Sequence, residues 1–116
     1  MIRFIALFFI SLSAHSACLD DSYTTLDISE CYSKEFEIEG QKLEKILLQA
    51  YSSSDEIVNE IKLSQEAWMK YRDAHCKAIY TSYGKGTMRL IAYPSCMLEL
   101  TKQRKKEVYT NFVEDF

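Results

Sequence analysis

Apolar residues recur along this chain in three long stretches, at intervals of three, four and their sums, the spacing of one face of an α-helix. The first stretch runs from Ile28 to about Tyr51 and carries Tyr32, Phe36, Leu43, Leu47 and Tyr51, supplemented by Ile46 and Ala50. Thr25 or Asp27 is placed to cap it, and Gly40 inside it weakens the helix by about 1 kcal/mol relative to Ala, which allows a kink there. Ser53 stands three residues before Glu56, the capping-box spacing, and opens a second helix from about Asp55 to Tyr80. Its stripe is Ile57, Ile61, Ser64 or Gln65, Trp68, Tyr71 or Arg72, His75 and Ile79. Residues 81–87 break the pattern with two glycines and read as a loop. Thr87 then caps a short helix, Met88 to Tyr93. A final helix from Pro94 to about Phe112 presents Met97, Leu100 or Thr101, Arg104, Val108 and Phe112. The pattern predicts an all-α fold, a small antiparallel bundle of about three main helices with short extra helical pieces. Three Gly and one Pro among 116 residues are too few turn formers for a sandwich or barrel.

The beginning of the chain follows a different rule. Arg3 supplies a positive charge, Phe4 to Leu12 form an apolar run, and Ser13, Ala14, Ser16 and Ala17 are small, the layout of a secretory signal peptide. The run is too short to span a bilayer as a helix. Residues 1–17 are therefore read as a signal peptide and 18–116 as one helical domain, secreted and delivered to a bacterial periplasm. A lipid anchor on Cys18 is the alternative, disfavoured because His15 stands where lipoprotein signals usually carry Leu. Without the leader, 17 acids face 13 bases, a net charge of −4. That balance offers no footprint for nucleic acid.

All four cysteines, Cys18, Cys31, Cys76 and Cys96, lie in the secreted part. An even number of cysteines after a signal peptide points to disulfides in an oxidising compartment. No Cys-x-x-Cys spacing is present and only His75 lies near, so the set does not form a zinc pattern. No metal or other cofactor is expected. Charge is segregated along the chain. Residues 18–44 hold eight acids and two lysines, whereas residues 62–106 hold ten bases and three acids. Either the acidic first helix packs beside the basic later ones, or it offers a polar interface to a charged partner.

The most specific motif is Gln65-Glu-Ala-Trp68-Met-Lys-Tyr71-Arg72-Asp73-Ala-His-Cys76, followed twenty residues after its end by Cys96, with Thr101 and Arg104 beyond. Trp68, Arg72 and Cys76 lie four apart on one helix face, and Cys96 and Arg104 project to a similar side of the last helix. This pattern resembles the LprI-type lysozyme inhibitor family of small secreted bacterial domains. Its elements map here onto Cys18 and Cys31, the Trp68–Cys76 motif, Gly84 and Gly86, Cys96, and Thr101 with Arg104. Gly40 and Pro94 depart from the family pattern and bear on local helix geometry. The resemblance implies a binding protein rather than an enzyme, with a protein partner of the lysozyme type. An envelope structural, stress-related or immunity-like module with another partner is the alternative. Four cysteines allow three connectivities; Cys18–Cys31 with Cys76–Cys96 closes two short local loops between neighbouring elements.

Individual residues carry little chemistry beyond this. Trp68 and Tyr71 read as core aromatics, and Arg72, Asp73 and Arg104 as charges hydrogen-bonded between or beside helices. A Cys76–His75 nucleophile would need a free thiolate, which a disulfide removes. Nothing in the spacing selects Asp73 and Glu99 over ordinary surface acids, and Gly84-Lys85-Gly86 lacks the context of a phosphate loop. Contacts to a partner are expected on the loop Tyr83, Gly84, Lys85 and Gly86, although Lys85 suits a basic partner poorly.

Overall fold

The computed structural model describes residues 17–20 and 24–114. The segment read as a signal peptide, residues 1–17, therefore lies outside the described residues, apart from Ala17. The described chain is helical almost throughout. A short helix α1 (Ala17–Asp20) precedes three long ones: α2 (Thr25–Ser53), α3 (Val58–Ser82) and α4 (Arg89–Phe112). Consecutive long helices run antiparallel, so α2 and α4 lie parallel, and these two make the most extensive contact in the molecule.

Local chemistry moves several helix ends from their expected positions. Thr24, rather than Thr25 or Asp27, caps α2: it is extended and its hydroxyl accepts from the Asp27 amide at 3.1 Å. α2 therefore starts at Thr25, ahead of the expected Ile28, and the short helix α1 precedes it. The helix passes through Gly40 without a break; a Cβ there would meet nothing within 4 Å. The Ser53 capping box does not form. The Ser52 and Ser53 hydroxyls donate instead to the carbonyls of Leu48 and Gln49, at 3.0 and 2.8 Å, and α2 extends through both residues. A 3₁₀ turn at Asp55–Ile57 then leads into α3.

The break expected at Pro94 is also absent. α4 begins at Arg89 and carries Pro94 buried within it. The first four-residue hydrogen bond of this helix runs from the Ala92 amide to the Met88 carbonyl at 2.8 Å. Proline so near that end removes only one early bond, the one its own amide would make to the Leu90 carbonyl, and one uninterrupted helix replaces the two expected pieces.

Two apolar clusters fill the bundle, one towards each end. Leu43, Leu47 and Ala50 of α2 meet Ile61 of α3 and Val108 of α4 at one end. Cys18, Tyr32 and Leu98 pack together at the other, with Ile28, Phe36 and Ile91 against them. Two disulfides hold this second end: Cys18–Cys31 ties α1 to α2, and Cys76–Cys96 ties α3 to α4. Their Cα separations of 5.4 and 5.6 Å are ordinary for such bonds. Both bonds are those that close the short local loops.

Candidate functional site

The motif residues meet where α3 faces α2 and α4. Two guanidinium groups lie against the Trp68 ring, with the Arg72 carbon 5.0 Å and the Arg104 carbon 5.9 Å from its centroid. Arg72 also lies 5.4 Å from the centroid of Phe36 on α2. Backbones of α2 and α3 approach each other closely at few points, and these long side chains fill the space between them. Cations over aromatic faces are attracted by the ring quadrupole, more so where water is excluded.

Arg104 is only 6% exposed, and a buried guanidinium is tolerable only when its donors are taken. Its Nε donates to Gln65 Oε1 at 3.0 Å, one Nη to Ser64 Oγ at 2.9 Å, and the other to Glu107 Oε1 at 2.5 Å. Arg72 donates to Asp73 Oδ1 beside it, at 3.0 Å. Thr101 is fully buried, and its hydroxyl donates to the Met97 carbonyl one turn back at 2.7 Å. Trp68, Arg72 and Arg104 thus form an interhelical clamp. The Arg104 donors and the Thr101 hydroxyl are spent on partners within the fold.

Tyr71 departs from its expected place. It is 55% exposed and stacks on the equally outward His75, with ring centroids 5.4 Å apart. The line through Ile61, Gln65, Trp68, Arg72 and Cys76 is the buried one, and both Tyr71 and His75 lie one residue, about 100° of rotation, away from it. His75 has no thiolate beside it, because Cys76 is bonded to Cys96. Cys18, Cys31 and Glu35 bring their donor atoms within 4.8 Å of one another, but a disulfide occupies both sulfurs. The same bond leaves the Cys18 sulfur unavailable for a lipid thioether.

The loop Tyr83–Gly86 is exposed along its whole length. Gly84 adopts a φ of +60°, the left-handed conformation that ends a helix readily only at glycine, and its amide donates to the Thr81 carbonyl at 3.0 Å. Arg89 donates to the Gly84 carbonyl at 3.2 Å, pinning the loop to α4.

The charge segregation is bridged at one ion pair between α2 and α4. Lys105 reaches Glu39 at 2.6 Å, and Lys42 approaches the other Glu39 oxygen at 3.3 Å. Burial by itself pushes the Glu39 carboxyl up, but hydrogen bonds and charge from Lys105 and Lys42 outweigh it and hold the group below the ordinary glutamate range. A depressed folded-state value means that its stabilisation is present above the unfolded glutamate pKa and lost as pH falls through the folded one. Denaturant midpoints measured against pH should therefore fall on acidification through this window, and Glu39→Gln should flatten that slope. A variant with an unchanged slope would remove Glu39 from the account. On the far side of the bundle, the Tyr51 hydroxyl is raised by burial, against the opposing charge of Arg104.

Apart from Glu35, which lies beside the Cys18–Cys31 bond, the other acids of α2 are exposed. Glu30, Glu37 and Glu44 follow one another at seven-residue steps, and Leu26 and Leu48 stand four residues beyond either end. At 100° per residue all five fall within about 40° of rotation, forming a ridge about 33 Å long. The two leucines are 65% and 59% exposed, and none of the three glutamates forms an ion pair among the described residues. Charge counting along the sequence found the acids but not the ridge; the seven-residue interval was the signal that could have revealed it.

Fold and clamp define a small three-helix domain stapled by two disulfides, with acids along one face of α2 and with Trp68, Arg72 and Cys76 of its motif turned inward. A family model described as lysozyme inhibitor LprI matches residues 17–108, and the chain belongs to that family. The family takes its name from lysozyme inhibition. No curated protein and no solved structure matches the chain significantly. Two disulfides in a member of this family mark a protein of an extracellular or envelope compartment. Among the described residues no helix is long and apolar enough to cross a membrane.

Proposed function

We propose that this chain is a secreted, periplasmic binding protein that inhibits a cell-wall-degrading enzyme of the lysozyme type by covering part of its surface. The observation that carries this reading is the ridge of Glu30, Glu37 and Glu44 between Leu26 and Leu48. Unpaired carboxylates in a row, flanked by exposed leucines, complement a basic protein surface with apolar spots, and lysozymes are commonly basic. Charges of this kind act chiefly by steering encounter, so binding should weaken steeply with salt. Tyr83 of the exposed loop offers a second anchor, while Lys85 beside it opposes a basic partner. Residues 1–17 act as the leader, in keeping with a family match that begins at residue 17.

A turbidity assay of lysozyme on cell walls tests the function and the surface separately. The oxidised wild-type protein should protect the walls at micromolar concentration. A variant with Glu30, Glu37 and Glu44 all changed to Lys should lose inhibition by tenfold or more, roughly the scale of several like-charge contacts at an interface. Failure of the wild type to protect would end the lysozyme reading. Protection undiminished by the triple change would move the interface off α2, with Tyr83→Ala then the informative variant.

A further inference from the structure

We propose that the cavity between the start of α4, the end of α3 and the first turns of α2 binds a small hydrophobic carboxylate, with Arg89 as its anion-binding residue. The cavity shares no lining residue with the acidic ridge, which it borders at Ser33, and the proposal does not depend on enzyme inhibition. The cavity measures about 360 Å³ and is walled by Phe36, Tyr80, Tyr93 and Met97, with Ser33 along its α2 side and Arg89 among its lining residues. That size and make-up, mostly aromatic and apolar with few polar groups, are those of a site for a small organic ligand.

The charge at its edge selects the ligand class. Three arginines lie among the described residues. Arg72 pairs with Asp73 and Arg104 with Glu107, but Arg89 has no carboxylate partner. Its guanidinium lies 5.2 Å over the Tyr80 ring and spends one Nη on the Gly84 carbonyl. A half-buried guanidinium held in place by a ring and a carbonyl has donors left, and its planar fork matches a carboxylate. The walls beside it favour a ring or short acyl chain on that carboxylate, not a sugar or a free inorganic anion.

The cavity is also preformed. Cys76–Cys96 fixes the end of α3 against the start of α4, and Tyr80 meets Tyr93 edge to face with centroids 6.1 Å apart. Pro94, without an amide hydrogen, lines the same space. Little ordering is therefore left for a ligand to impose.

The test is an amide-resolved NMR titration of the oxidised protein with 4-phenylbutyrate and, separately, its neutral amide, 4-phenylbutyramide. Saturable shifts are expected at Ser33, Leu90, Tyr93 and Met97, with the carboxylate binding about tenfold more tightly than the amide, the scale of one charge-assisted hydrogen bond. In Arg89→Gln the two ligands should bind equally. This comparison is made within one variant, so it survives any general loosening of the loop. Absence of saturable shifts up to about 10 mM, a concentration that would reveal even millimolar affinity, would overturn the proposal. So would shifts confined to Leu26 and Leu48, or a tenfold preference that persists in Arg89→Gln.

Discussion

Replacing Trp68 by Ala should lower the unfolding free energy by about 3 kcal/mol, the lower part of the range for large-to-small changes at tryptophan, because Trp68 is only partly buried. Part of the cost is apolar: the ring packs against the cluster of Leu43, Leu47, Ala50, Ile61 and Val108. The remainder is electrostatic, since Arg72 and Arg104 both lose the ring they lie against. Arg104 suffers more, being nearly inaccessible to water and unable to replace that ring by hydration. Small domains have only about 5–15 kcal/mol in total, so the change should move the urea midpoint by about 2 M or more. Trp68→Phe, which keeps a ring, should recover a good part of the loss. A midpoint for Trp68→Ala within about 0.5 M of wild type would mean that the clamp is not a main support of the bundle.

This clamp marks how far the sequence could be read. Spacing of four between Trp68, Arg72 and Cys76 placed them on one face, and the structure keeps them there. Periodicity does not choose between Tyr71 and Arg72, because they are adjacent, either fits spacings of three and four from Trp68 and Cys76, and tyrosine is the more apolar of the two. Arg72 occupies the inner position because Phe36, on a different helix, supplies a second ring for its guanidinium. A contact across 36 positions of sequence leaves no trace in local pattern. The same holds for Arg104, whose partners Ser64 and Gln65 lie about 40 residues away.

Helix ends were misplaced for a different reason. Serine serves as a cap and as a back-bonding residue inside a helix, and Ser52 and Ser53 take the second role. Proline both begins helices and interrupts them, and at position 94 it does neither, since α4 had already started at Arg89. These are competitions between local preferences of similar size, settled by packing of α4 along α2. By contrast, three helices, their order and their inner stripes follow from repeated apolar spacing, which no single competing preference can override.

Changing Cys76 and Cys96 together to Ser should lower stability by about 3 kcal/mol, as expected in the chain-entropy model for a bridge across 20 residues. Chain entropy alone barely separates this bond from Cys18–Cys31, whose loop spans 13 residues. Their surroundings separate them. Cys18–Cys31 secures a four-residue helix to α2, so its loss releases mainly α1 and should register chiefly as local opening. Cys76–Cys96 joins two long helices beside an exposed loop, and its half-cystine at position 76 is fully buried. Without it, the far end of α3 is held to α4 chiefly by Arg89 and the Tyr80–Tyr93 contact. Hydrogen exchange should therefore quicken across residues 77–95 in this variant, while amides near Leu43, Leu47 and Val108 stay protected until global unfolding. Far-UV helicity should persist, because the contact between α2 and α4 contains neither cysteine 76 nor the loop. Exchange that quickens equally everywhere would show that the bond acts on the unfolded chain alone, and an unchanged denaturation midpoint would show that it contributes nothing to the bundle.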